Sequence, residues 1–101
     1  MSYIVVVSNS AEFDLSEIVS FYRTQSFDAA DNFLSSVQEF LLLLEKTPFI
    51  YQIANNVIRR IPMGRFPYNI FYTIDGNNVS VLAVVHQKRS PTIWHDKTTF
   101  H

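Results

Sequence analysis

Pro67-Tyr68-Asn69-Ile70-Phe71-Tyr72-Thr73-Ile74-Asp75 and Val79-Ser80-Val81-Leu82-Ala83-Val84-Val85 are two β-rich runs joined through Gly76-Asn77. Their alternation decides the fold. Tyr68, Ile70, Tyr72 and Ile74 point one way, and Asn69, Phe71, Thr73 and Asp75 the other. A Gly at the first central position suits a two-residue hairpin loop. With Gly76-Asn77 as that loop, Ile74 pairs with Val79, Tyr72 with Val81 and Ile70 with Ala83, all on one face. The opposite face then carries Asn69, Phe71, Thr73, Ser80, Leu82, Val84 and His86, apolar enough to require cover from the C-terminal tail or a partner.

Upstream, Val57-Ile58-Arg59-Arg60-Ile61-Pro62-Met63-Gly64-Arg65 reads as a further strand leading into a Gly-containing turn. Arg59 and Arg60 are adjacent on it, so they point to opposite faces. Before it, Phe49 to Asn56 reads as a connecting loop. Farther back, Ala30, Phe33, Leu34, Val37, Leu41 and Leu44 form one helical stripe, which Phe40, Leu42 and Leu43 widen to more than one side. Asp28 is a candidate cap for this helix, and Thr47-Pro48 ends it. Ala11, Leu15, Ile18, Val19 and Tyr22 mark an earlier helix capped within Ser8-Asn9-Ser10, Asn9 and Glu12 having capping-box spacing. A break near Thr24 to Phe27 makes the two an antiparallel hairpin. Tyr3 to Val7 is a first strand. The order β-α-α-β-β-β gives an α+β single domain over residues 1–101, a helical hairpin covering one face of a small antiparallel sheet.

A chain of 101 residues with 48% hydrophobic content builds one core and is not disordered. No apolar run is long enough for a membrane span, and Tyr3 to Val7 lacks the basic lead of a signal peptide, so the expected location is cytoplasmic. The absence of Cys excludes a disulfide framework and thiolate metal sites. His86, His95 and His101 have no tight ligand spacing, so neither metal nor cofactor is expected. The net charge of −1 hides a division. Residues 1–50 carry seven acidic groups against two basic, and residues 51–101 six basic against two acidic. A polar partner for the basic half is one reading, and acids coating two helices is the other.

The Asp14-Leu15-x-Glu17-Ile18-x-x-Phe21-Tyr22 pattern is followed by Ala30-x-x-Phe33-Leu34 and Pro48-x-x-Tyr51. Then come Ile58-Arg59-Arg60, Phe66-Pro67-Tyr68-x-Ile70-Phe71-Tyr72 and His86-x-x-Arg89-x-Pro91-x-x-Trp94. In this order and length they resemble the RelE/ParE superfamily of bacterial toxins from type II toxin–antitoxin systems. The ending is similar to the ParE-like, plasmid stabilisation subgroup. The resemblance implies growth inhibition and a cognate antitoxin that wraps over the toxin in a hetero-oligomer. It also implies one of two targets. RelE-like members cut mRNA in the ribosome, whereas ParE-like members bind DNA gyrase without being nucleases. An attenuated member would only bind its antitoxin.

Whether the chain is an enzyme turns on that division. Metal-free RNA cleavage needs a proton acceptor, cations around the phosphate and an acid for the leaving oxygen. His86 has the titration range for the proton shuttle, and Arg65 and Arg89 could clamp phosphate. Against this, Asn69 stands where the resemblance implies a cation, Gln87 where it implies an Arg, and Pro62 where another cation would help. The gyrase-binding reading is therefore the first expectation. On it, Arg60, Asn69, Phe71, Lys88 and Trp94 are the candidate target- or antitoxin-binding residues. Trp94 is also a candidate plug folding back onto the sheet, and His86 a strand end that bonds locally.

Overall fold

A computed structural model describes residues 2–89. Its elements are β1 (Ile4–Val7), α1 (Asn9–Gln25), α2 (Phe27–Lys46), β2 (Ile53–Asn55), β3 (Ile58–Pro62), β4 (Tyr68–Asp75) and β5 (Asn78–His86). The expected α+β order is present, with one added strand. The sheet is five-stranded in the order β1-β5-β4-β3-β2. It is mixed rather than purely antiparallel, because β1 runs parallel to β5. Both helices and β2, β3 and β4 lie between β1 and β5 in the chain, so the connection is long enough for the crossover that parallel strands require.

Local chemistry sets the helix ends. Ser8 caps α1 by accepting from the Ala11 N–H at 3.1 Å, one residue before the Asn9 expected from the capping-box spacing. The break between helices is a single residue. Ser26 closes α1 through its N–H to the Tyr22 carbonyl and caps α2 by accepting from the Ala29 N–H at 3.0 Å. Asp28 therefore lies in the first turn of α2, where its charge favours the positive helix end, and is not the cap. Thr47 ends α2 ahead of Pro48, as the proline requires.

The main core lies between the hairpin and the sheet. Ala11, Ile18 and Val19 from α1 and Ala30, Phe33, Val37 and Leu44 from α2 meet Ile61, Ile70, Tyr72, Val79, Val81 and Val84. Leu42 and Leu43 do not join them, being 60% and 43% exposed. At about 100° per residue they fall on the side of the helix away from Leu41 and Leu44. The Tyr72 hydroxyl donates to the Pro48 carbonyl at 2.5 Å, and burial pushes its pKa up to about 12. A smaller cluster of Ile58, Phe71 and Ala83 occupies the opposite face, with Ala54, Leu82 and Val85 packed on it.

The segment expected as a loop contains β2, which pairs with β3 around a turn at Asn56. Asn56 sits at φ +52°, a conformation Asn adopts more readily than most residues. Pro62 is tolerated in β3 because, among the described residues, backbone bonding on the β2 side ends with the Arg60 N–H to the Gln52 carbonyl at 3.1 Å, before it reaches Pro62.

The expected hairpin register holds from the turn inward and then changes. Ile74 pairs with Val79 and Tyr72 with Val81, and Gly76 takes φ +60° at the first loop position. Beyond them a β-bulge sets Leu82 and Ala83 together opposite Phe71. Ile70 therefore pairs with Val84 and not Ala83. Val84 moves to the helix side, Ala83 to the outer side, and His86 comes opposite Tyr68. The expectation that Val84 and His86 share the outer face with Asn69 is corrected by that one inserted residue.

Candidate functional site

The bulge is held by α1. Among the described residues no strand lies on the β1 side of β5 beyond Val7. Ser8 fills the first position, its N–H reaching the Val81 carbonyl at 3.0 Å and its hydroxyl the Leu82 carbonyl at 3.3 Å. Asp14 fills the next, its Oδ2 accepting from the Val84 N–H at 3.0 Å. Burial raises the Asp14 carboxyl above its usual 3.8, and the Val84 hydrogen bond opposes the rise. The other helix acids Glu12, Glu17, Asp28, Asp31 and Glu39 lie exposed, as expected for a solvent coat.

That clamp positions the end of β5 and the residues after it. The Gln87 N–H reaches the Pro67 carbonyl at 2.9 Å, and the Met63 N–H the Tyr68 carbonyl at 3.0 Å. The turn carrying Arg65 and the segment His86–Arg89 thus share one end of the sheet. Beneath them lies an aromatic cluster. Tyr22, Phe33, Phe66 and Tyr68 contact one another with ring centroids 5.4–6.4 Å apart. Tyr68 continues it to His86, whose ring meets it edge-on at 5.3 Å. Burial raises the Tyr68 phenol above its ordinary value, while the positive charge of Arg89 opposes the shift. The Tyr22 phenol is raised by burial and by the proximity of Tyr68.

His86 is half-buried, and its Nδ1 accepts from the Lys88 N–H at 3.1 Å. Arg89 donates its backbone N–H to the His86 carbonyl at 2.9 Å, leaving the side chains of Lys88 and Arg89 exposed beside it. Arg65 is exposed, its guanidinium 6.0 Å from the centre of the Phe66 ring. The Gln87 amide lies 3.5 Å from both the Asn69 Oδ1 and the Tyr68 carbonyl. The rim therefore brings together Arg65, Asn69, His86, Lys88 and Arg89.

Arg59 and Arg60 part as the strand period requires. Arg59 pairs with Tyr72 on the helix side and reaches the Tyr51 carbonyl at 2.5 Å and the Phe49 carbonyl at 3.3 Å. It also lies over the Phe49 ring at 5.2 Å. It fastens the loop after α2. Arg60 pairs with Phe71 on the outer side and is exposed. Phe71 itself is 2% exposed, so it serves the second cluster and is not a surface contact. Trp94 lies outside the described residues. Asp14, Ser8 and Tyr68 are the positioning residues that sequence reasoning missed. The aspartate of the Asp14-Leu15-x-Glu17 pattern was the available signal for the first.

Among the described residues no group of three or more His, Asp or Glu could hold a metal ion, and no helix is long and apolar enough to cross a membrane.

A family model described as the ParE toxin of the type II toxin–antitoxin system parDE matches residues 5–91. The chain belongs to the ParE toxin family. The match runs from β1 through the sheet rim, so it includes both the Asp14 clamp and His86–Arg89. None of the curated proteins matches the sequence significantly. Among solved structures, this ParE-family chain is similar to one from the chromosomal ParDE system of P. aeruginosa. Identity is 15%, coverage 83% of this chain and 95% of that one, and the TM-score 0.73. It is also similar to the isolated E. coli RelE toxin, at 17% identity, with 98% and 99% of the two chains covered and a TM-score of 0.60. Both similarities are of fold.

Proposed function

We propose that the protein is the toxin of a type II toxin–antitoxin pair that arrests growth by binding DNA gyrase, neutralised by a cognate antitoxin in a hetero-oligomer. Family membership supports the toxin role, and the P. aeruginosa structure, described as a ParDE system, supports the antitoxin. The observation that carries the non-nuclease reading is the hydrogen bond at His86. Its Nδ1 accepts from the Lys88 N–H at 3.1 Å, so that nitrogen is engaged by the backbone and not offered to a 2′-hydroxyl. Around it, Asn69 and Gln87 present neutral amides to each other at the two positions where the resemblance to RelE-like members implies cations. The exposed cations Arg65, Lys88 and Arg89 on the same rim are suited to an acidic surface on a protein target.

The test is expression of the chain without its antitoxin, together with a supercoiling assay on purified gyrase. The reading expects DNA breaks, filamentation and inhibited supercoiling with intact mRNA, and His86→Ala keeps that inhibition. Rapid translation arrest with cleaved mRNA, abolished by His86→Ala, would overturn it in favour of a RelE-like endonuclease.

A further inference from the structure

At the tip of the β4–β5 hairpin two groups that can react with each other stand unpaired. Gly76 follows Asp75 there, and of the two glycines in the chain it is the one preceded by an acid. Asp75, Gly76 and Asn77 are all exposed. Gly76 stands at φ +60°, and the place where a side chain would grow from it has nothing within 4 Å. Among the described residues neither the Gly76 N–H nor the Asp75 carboxyl has a hydrogen-bond partner. The turn is nonetheless held on both sides of that link. Asp75 pairs with Asn78 as the last rung of the ladder, and the Ile4 N–H reaches the Asn77 carbonyl at 2.8 Å. A free peptide nitrogen is thus tethered next to a free carboxyl, with no Cβ to shield it.

We propose that Asp75-Gly76 is a self-modifying link, at which the folded chain converts Asp75 to isoaspartate. In the first step the Gly76 nitrogen attacks the carbon of the Asp75 carboxyl in its acid form. A C–N bond forms, the nitrogen gives up its proton, and the carboxyl hydroxyl leaves with a proton as water. The product is a five-membered cyclic imide. In the second step water opens that ring. Opening at the carboxyl carbon restores aspartate. Opening at the former main-chain carbonyl leaves Gly76 linked through the side-chain carbon. No oxidant, cofactor or second protein is consumed. The attack requires Asp75 to turn out of its extended backbone, which breaks the terminal rung with Asn78, and element ends open at little cost. The product carries one extra main-chain carbon inside the turn that sets Ile74 against Val79. That end of the sheet loosens, whereas Tyr68 and His86 lie at the other end of the same ladder.

The proposal depends on the turn and not on the toxin reading. The full chain is incubated folded and, in parallel, unfolded in guanidinium, and isoaspartate is quantified at each site by peptide mapping. At position 75 the folded chain is expected to react within about tenfold of the unfolded one, the cost of opening one rung at an element end. At Asp31, inside α2, the Asn32 N–H is tied into the helix, and folding should slow the same reaction by about a hundredfold or more. Asp75→Asn should pass through the same imide with loss of ammonia and convert faster, because a neutral amide is a better electrophile than an ionised carboxylate. Asp75→Glu, which would need a six-membered ring, should abolish the product and, at an exposed position, leave the melting curve unchanged. The isoaspartate fraction, once separated, should melt below the unmodified chain. A folded chain that forms no isoaspartate at position 75 while the unfolded one does would overturn the proposal. So would a folding penalty at 75 equal to that at Asp31, product that persists after Asp75→Glu, or Asp75→Asn converting no faster than wild type.

Discussion

The two halves of the β4–β5 hairpin differ in what holds them. The half beside Gly76 is regular, flanked by β1 and buried on its helix side through Tyr72, Val79 and Val81. The half beyond Leu82 has lost β1, carries a bulge and ends in the rim of His86 to Arg89. There side chains of α1 replace a neighbouring strand. The regular half follows pairing rules, whereas the half that carries the candidate rim needs a tertiary clamp to set which side chain faces where. Bulges beside active or binding sites commonly re-aim side chains in this way.

The sharpest way to break this contrast is a pair of lysines. In a regular hairpin positions 82 and 84 share a face and would respond alike. Here Val84 is 4% exposed in the main core and Leu82 is half-exposed on the other side. Val84→Lys should cost about 3–5 kcal/mol in urea unfolding, the effect of an unpaired buried charge. Leu82→Lys should cost about 1 kcal/mol or less. Equal costs would remove the bulge from the account.

The clamp itself comes next. Asp14→Ala leaves the Val84 N–H without its acceptor and should cost about 1–3 kcal/mol, with the His86 and Lys88 NMR signals shifting. Asp14→Asn keeps an accepting oxygen and should restore most of the loss. Burial raises the folded carboxyl above its unfolded value. Its contribution is therefore complete below about pH 3.8 and declines as pH rises through the raised value. Wild type should gain on Asp14→Asn as pH falls into that range, and a gain in the opposite direction would refute the assignment.

A smaller effect belongs to the regular half. Tyr72→Phe removes the hydrogen bond to Pro48 and should cost about 1 kcal/mol at neutral pH. The phenol rises from 10.0 to about 12 on folding. Its contribution is whole below pH 10 and is lost as pH rises through about 12. The gap between wild type and Tyr72→Phe should close across that window in alkaline unfolding. The smallest effect is at the rim, where His86→Ala should change stability by only about 0.5 kcal/mol, the range of surface positions. A much larger loss would mean that the rim, and not the clamp, holds the end of β5.

The candidate residues were legible unevenly. Arg65, His86, Lys88 and Arg89 are candidates because charged residues follow a strand end, and all four lie at one end of the sheet. Phe71 was read as available because alternation put it on an open face, yet it is buried in the second cluster. Arg59 and Arg60 look equivalent in the sequence. Only the fold shows that one fastens a loop through two carbonyls while the other stays exposed.

Sequence alone determined the helix faces, the helix ends to within a residue or two, the Gly76-Asn77 turn and the pairing of Tyr72 with Val81. Each follows from interactions among residues near in the chain, or from a period of 3.6 or 2. The tertiary structure alone decided that β1 lies parallel beside β5, that β2 joins the sheet, and that the strand bulges at Leu82. Those outcomes depend on groups far apart in sequence, such as Asp14 and Val84, seventy residues distant. No local periodicity encodes a hydrogen bond that forms only when a helix packs against a strand whose edge another strand has left open.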